Sequence, residues 1–202
     1  MNSFSTQIRQ LENDKSCTYE IKAGNSPVII TSAHGIRQKK LNGKFKLGEP
    51  YTRGIAKYVS RKTDCFCLIK NEDTGVDPNK KNEDEFKTIL ADLVEKNRIK
   101  LVIDLHGAKA ERDFDVEIGT RDGKMAKQET VDKLIKCLNK VGIKNIVVND
   151  PFKGGQITQA THDNTSVECL QLEINYKYRN IRKIQNLNKI CRALANFVSG
   201  IM

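Results

Sequence analysis

Five short apolar runs, each long enough for one buried strand, recur along this chain, and stretches of helical periodicity separate them. They are residues 28–30 in PVIITSAHG, CFCLIK at 65–70, LVIDLHGA at 101–108, KNIVVN at 144–149 and ECLQLEI at 168–174. Between them, Ile55, Tyr58 and Val59 mark a helix opened by Glu49 and Pro50. Phe86, Ile89, Leu90, Leu93 and Val94 mark a second, beginning at Asn82, where N-x-x-E with Glu85 makes a capping box. Val131, Leu134, Ile135, Leu138 and Val141 mark a third, stopped by Gly142, and a last helix over 181–198 turns Ile184, Leu187, Ile190, Cys191, Leu194 and Val198 inward. Strand–helix alternation from Val28 onward predicts an α/β fold, a three-layer α/β/α sandwich on a mostly parallel, mixed sheet.

Ahead of these runs, residues 1–16 are expected to form a mobile or loosely docked arm, and CTYEIK at 17–22 an edge strand. Residues 35–48 (GIRQKKLNGKFKLG) show little periodicity and read as a long surface loop. A short alternating strand, DVEIGT at 115–120, ends at Arg121-Asp122-Gly123, and DPFKGGQITQATHDNTS at 150–166 reads as a second long polar loop. Long loops inside compact domains are more often functional than idle.

At 202 residues and 38% hydrophobic, the chain suffices for one well-buried domain and is short for two, so a single domain over 1–202 is expected. No apolar run approaches the roughly 18 residues of a membrane helix, and MNSFSTQIRQLENDK is polar from its first residue. Neither a membrane span nor a signal peptide is expected, and the reading is of a cytoplasmic protein. Cys17, Cys65, Cys67, Cys137, Cys169 and Cys191 lack CxxC pairing and read as reduced thiols, with Cys65 and Cys67 on one face of their strand. The net charge of +10 and pI near 9.3 permit a nucleic-acid partner. The basic residues are mixed with acids along helices, however, tryptophan is missing, and no RNA-binding or helix-turn-helix signature occurs. A lysine-rich surface that favours small anionic substrates fits better.

Two of the three histidines repeat one design, His34 beside Gly35 after one apolar run and His106 beside Gly107 at the end of another. In parallel α/β sheets ligands bind beyond the carboxyl ends of strands. His34, His106, the segment 149–158 and Glu173 all follow or finish strands. Two neutral imidazoles and a carboxylate form a common catalytic zinc set, with a further carboxylate free to act as general base. No HExxH helix accompanies them, and a lone histidine after a strand is more often a hydrogen-bonded structural residue than a ligand; the repeated strand-His-Gly context shifts the reading to a metal. Asp104, two residues before His106, would serve as ligand or as an acid that orients the histidine. Glu173 has a strand salt bridge as its plain alternative, and His162 is either a loop residue or a substrate contact.

SAHG at 32–35, DLHG at 104–107, NDPFKGGQIT at 149–158 and QLEIN at 171–175 resemble, in that order, the zinc-dependent N-formylglutamate amidohydrolases, a family distantly similar to zinc carboxypeptidases and aspartoacylases. The resemblance covers about residues 26–180. It implies a zinc-carboxypeptidase-like (phosphorylase/hydrolase-like) sandwich in which His34 and His106 bind Zn2+ and Glu173 is the general base. Carboxypeptidases place a glutamate ligand three residues after the first histidine, where this chain has Arg37. The amidohydrolase family looks instead to a later acid ahead of a helix, which Glu49 in GEPYTRGIAKYV matches, with Asp77 as the other candidate. Under the same resemblance Arg37, Arg121 and Lys153 become candidates for a substrate carboxylate, and Asn149, Gln156 and Thr158 for the amide. The implied reaction is hydrolysis of an N-acyl amino acid, N-formyl-glutamate to formate and glutamate, with Glu173 as base toward a metal-activated water. A zinc hydrolase of poly-γ-glutamate or of a peptide amide, and a non-catalytic binding protein for a polyanion, are the competing readings.

Overall fold

In the computed structural model, which describes residues 3–39, 44–80 and 83–201, the apolar runs assemble into a seven-stranded sheet. Its strands are β1 (Tyr19–Lys22), β2 (Ser26–Ser32), β5 (Cys65–Lys70), β6 (Leu101–Ala108), β7 (Val116–Gly119), β8 (Ile146–Val148) and β9 (Glu168–Asn175). They lie in the order β1-β5-β2-β6-β9-β7-β8. The inner four, β5, β2, β6 and β9, run parallel; β1 and β7 are antiparallel to β5 and β9, and β8 runs parallel to β7. Helices α1 (Phe4–Asn13), α2 (Thr52–Thr63), α4 (Gln128–Lys140) and α7 (Ile184–Ser199) pack on one face, α3 (Glu85–Lys96) and α5 (Gln156–Thr165) on the other. This is the three-layer sandwich with a mixed sheet that the alternation predicts.

Burial on both faces explains the continuous apolar runs. On β6, Ile103 joins a core with Ile30, Leu170 and Leu194, while its neighbour Val102 joins one with Ile29, Phe86 and Cys169. Each such side chain stabilises the fold by about 1.5–3 kcal/mol. All six cysteines are free thiols, Cys65 and Cys67 in the first of these cores. Among the described residues no helix is long and apolar enough to cross a membrane.

Several boundaries differ from expectation. The segment read as a loose arm holds α1, capped by Ser3, with Ile8 and Leu11 buried. Its Glu12 accepts hydrogen bonds from the amides of Tyr51 and Gly54 at 3.0 and 2.7 Å, satisfying donors at the start of α2. That helix begins at Thr52 rather than at Glu49. The expected cap Asn82 lies outside the described residues, and Asp84 caps α3 instead by accepting from the Phe86 amide. The loop read over 150–166 contains α5, a polar helix whose buried residues are only Ile157, Thr158 and Thr161. So few apolar positions leave no stripe to read; packing against α3 stabilises it. Residues 35–48 carry a small hairpin of β3 (Gln38–Lys39) and β4 (Phe45–Lys46), with 40–43 outside the described residues.

Candidate active site

The carboxyl ends of the parallel strands meet at one edge. His34 follows β2 and His106 lies near the end of β6, directly paired with Glu173 of β9, which is paired in turn with Glu117 of β7. Partners in adjacent strands project to the same face, so His106, Glu173 and Glu117 form a row across three strands. In the next row inward, Thr31 is paired with Asp104, and Asp104 with Gln171.

Both histidines are fixed in the same way. The Nε2 of His34 lies 2.7 Å from Asp77, and the Nε2 of His106 lies 2.8 Å from Asp104, which also accepts the Thr31 hydroxyl at 2.6 Å. Burial alone would raise the Asp77 pKa, but the bond to His34 outweighs it and holds the carboxyl below its usual range. A carboxylate only accepts, so Nε2 of His34 carries the proton and Nδ1 keeps its lone pair. That Nδ1 is buried and has no hydrogen-bond partner. The Nδ1 of His106 lies 3.4 Å from Glu49, and the two imidazole centroids are 4.8 Å apart.

Glu49 completes the group. Its amide donates to the His34 carbonyl at 2.8 Å, and its carboxylate accepts from the Gly107 amide at 3.0 Å, so it touches both strand ends. One ligand atom from each of His34, Glu49 and His106 lies within 4.8 Å of the others. Burial would raise the Glu49 pKa, but His106 and His34 outweigh it and bring it down to about 2. Conversely, burial would lower the His106 pKa, but Asp104 and Glu49 raise it well above its ordinary value. An unpartnered imidazole nitrogen, a second imidazole and an ionised carboxylate converging on one point are a donor set that fits a divalent metal such as zinc. Asp77 and Asp104, the other acids considered as third ligand, stand on the far ring edges of the histidines, where a carboxylate orients an imidazole.

Glu173 lines the adjoining cavity, and burial raises its pKa. Gln171 donates to its carboxylate at 3.1 Å and accepts from the Gly155 amide, which ties Glu173 to the 149–155 loop. Neither Gln171 nor Glu117 was singled out in the sequence. The readable signal was polar residues at strand period within buried runs. Glu117 is fully buried; one of its oxygens accepts from the Phe152 amide and the other has no partner. Burial, aided by Glu173, pushes its pKa up from 4.5 to about 7. The unfolded chain releases this proton near 4.5 and the folded chain near 7, so the folded state binds more protons between them and this group's contribution to stability falls as pH rises through that window. The urea midpoint of Glu117→Gln, relative to the parent, should therefore climb from pH 4.5 to pH 7. A flat difference would argue against an ionisable Glu117.

The cavity holds about 680 Å³ and is lined in part by Lys46, Lys109, Arg112 and Lys153 beside His106 and Glu173. Of the residues proposed to contact substrate, Lys153 lines it and is paired with Asp122 at 3.0 Å. Arg37 stacks on Phe45, and Arg121 holds Asp163 through two bonds of 2.9 Å, so neither faces this cavity. Asn149 bonds to Thr120, Thr158 bonds back to the Gly155 carbonyl, and Gln156 lines a different depression beside α3 and α5. His162, within α5, donates through Nδ1 to the Val167 carbonyl at 2.7 Å, a helix-end role.

Residues 83–178 match the family model of FGase, N-formylglutamate amidohydrolase, a segment that includes His106 and Glu173. No curated protein matches the chain in sequence. Among solved structures, N-formylglutamate amidohydrolase from Ralstonia eutropha JMP134 superposes with a TM-score of 0.71 at 15% identity, covering 91% of this chain and 98% of that one. A bacteriophage poly-gamma-glutamate hydrolase gives 0.58 at 16% identity, covering 94% and 93%. A metallo-carboxypeptidase from Burkholderia cenocepacia gives 0.52 at 12%, covering 97% of this chain and 67% of that one. The family this chain resembles, in sequence over residues 83–178 and in fold over nine-tenths of its length, is that of the N-formylglutamate amidohydrolases.

Proposed function

We propose that this protein is a metal-dependent amidohydrolase that cleaves the amide of an N-acyl amino acid, with N-formyl-glutamate as the leading substrate. The observation that carries the proposal is the unpartnered, buried Nδ1 of His34 aimed into a cluster with His106 and Glu49, one strand away from a buried carboxylate of raised pKa. His34, Glu49 and His106 would hold the metal, and Zn2+ fits the two imidazoles and one carboxylate. Bound there, the ion would supply a Lewis acid that polarises the scissile carbonyl and lowers the pKa of a water.

The remaining work falls to the chain's own side chains. Glu173, with its affinity for a proton raised by burial, takes the proton of the attacking water and hands it to the leaving nitrogen as the C–N bond breaks. Gln171 fixes one Glu173 oxygen, so the other is the one presented to the reacting centre. Lys153 and Arg112, in the cavity wall, meet the carboxylates of the amino acid. The products are formate and glutamate. A stoichiometric release of formate from N-formyl-glutamate by zinc-loaded protein is the expected result, and N-acetyl- and N-formyl-amino acids run in parallel identify the acyl group and side chain.

The four cations along an open cavity favour a second reading, hydrolysis of poly-γ-glutamate, whose successive carboxylates could engage Lys46, Lys109, Arg112 and Lys153 together. The same panel separates the two. Formate release with intact polymer retains the first; shortening of the polymer without formate release replaces it with the second.

A further inference from the structure

The structure assigns Arg179 as a positioning residue for the cluster: one buried guanidinium ties together the three backbone segments that carry Glu49, His106 and Glu173. Its Nη1 donates to the carbonyl of Pro50 at 2.5 Å, its Nη2 to that of Ala108 at 2.8 Å and its Nε to that of Ile174 at 2.9 Å. Pro50 follows Glu49, Ala108 lies two residues beyond His106, and Ile174 follows Glu173. The side chain is 2% exposed, so a donor left without its carbonyl would find no water in exchange. Local structure aims it there. Asn175 caps the short helix α6 (Tyr176–Arg179) by accepting from the Lys177 amide, which turns the chain back so that Arg179 passes beneath the ends of β6 and β9.

Gly107 supplies an independent observation. A Cβ on Gly107 would lie 2.4 Å from the Arg179 Cζ and 2.5 Å from Nη2. The glycine beside His106 is therefore the space the guanidinium occupies, and any side chain there would push the arginine off its three acceptors. The Gly107 amide also donates to Glu49, so the same displacement reaches the carboxylate of the cluster. Lysine cannot replace this contact, because one ammonium cannot address three carbonyls arranged around a planar fork.

The inference rests on the metal reading above, and the test separates the two. Zinc is titrated into the metal-free full chain, for the parent, R179K, R179M, G107A and the double variants. Zinc affinity is read on folded protein, so a merely structural loss would lower the urea midpoint and leave it unchanged. R179K and R179M are expected to bind zinc about 10–100-fold more weakly, the usual cost of losing a group that orients ligands. G107A should weaken binding in the parent but add little beside R179M, whose side chain ends one atom short of the Cζ position that the alanine methyl would meet; R179A serves for this cycle if R179M does not fold. Parent protein that binds no zinc removes the metal reading and this inference with it. Parent that binds zinc while R179K and R179M match it overturns the inference alone, as does a G107A effect of equal size in both backgrounds.

Discussion

Glu173→Gln is expected to lower kcat by about 10²- to 10⁴-fold while the protein still takes up one zinc per chain. That is the usual contribution of a positioned general base. The substitution keeps the shape of the side chain and its contact with Gln171 but removes the oxygen lone pair that takes the proton. The cluster of His34, Glu49 and His106 does not use Glu173, so the metal should stay. Zinc content by elemental analysis and single-turnover hydrolysis measure the two halves separately. Loss of zinc in this variant would move Glu173 into the ligand set, and unchanged kcat would leave the reaction without its base.

The second large effect is on binding and stability together. His34→Ala and His106→Ala should each abolish the zinc-dependent rise in thermal stability, which for an intact site would be about 4 kcal/mol at a thousandfold excess over Kd. Without metal the two variants should differ. His106 stands between Asp104, fully buried, and Glu49. Removing it leaves the buried Asp104 with no cationic partner, only the Thr31 hydroxyl, and leaves Glu49 to Lys46 and the Gly107 amide, a loss of about 3–5 kcal/mol by analogy with broken buried pairs. His34 faces Asp77, whose side chain is 27% exposed, so water can take over the solvation of that carboxylate and the cost should be smaller. Urea unfolding of the metal-free proteins tests the order. If zinc stabilises both variants as it does the parent, the histidines are structural and the metal reading falls.

Much of this site was legible in the chain, for physical reasons that differ by residue. His34 and His106 stood out because a charged or polar group at the end of a fully apolar strand must meet either solvent or a partner. Glu173 was visible for the same reason. The third member was not decided by pattern. Glu49, Asp77 and Asp104 are all acids near strand or helix ends, and only their positions relative to the two ring nitrogens distinguish them: Asp77 and Asp104 lie against Nε2, Glu49 on the Nδ1 side of His106. Arg121 and Asn149 adjoin the cavity wall, Arg121 through its amide hydrogen bond to the Lys153 carbonyl and Asn149 two residues before Pro151, yet the Arg121 side chain is engaged by Asp163 and that of Asn149 by Thr120.

What the amino-acid order determined by itself was the layered fold and the strand ends on which histidines and an acid appear, because hydrophobic periodicity and turn chemistry act over a few residues. What only the tertiary structure decided is which distant side chains share a point in space. The row of His106, Glu173 and Glu117 depends on strand register, and the Arg179 contacts join positions 50, 108 and 174. Register and crossover geometry are set by packing of the whole sheet between its helices, a property that no local window of sequence contains.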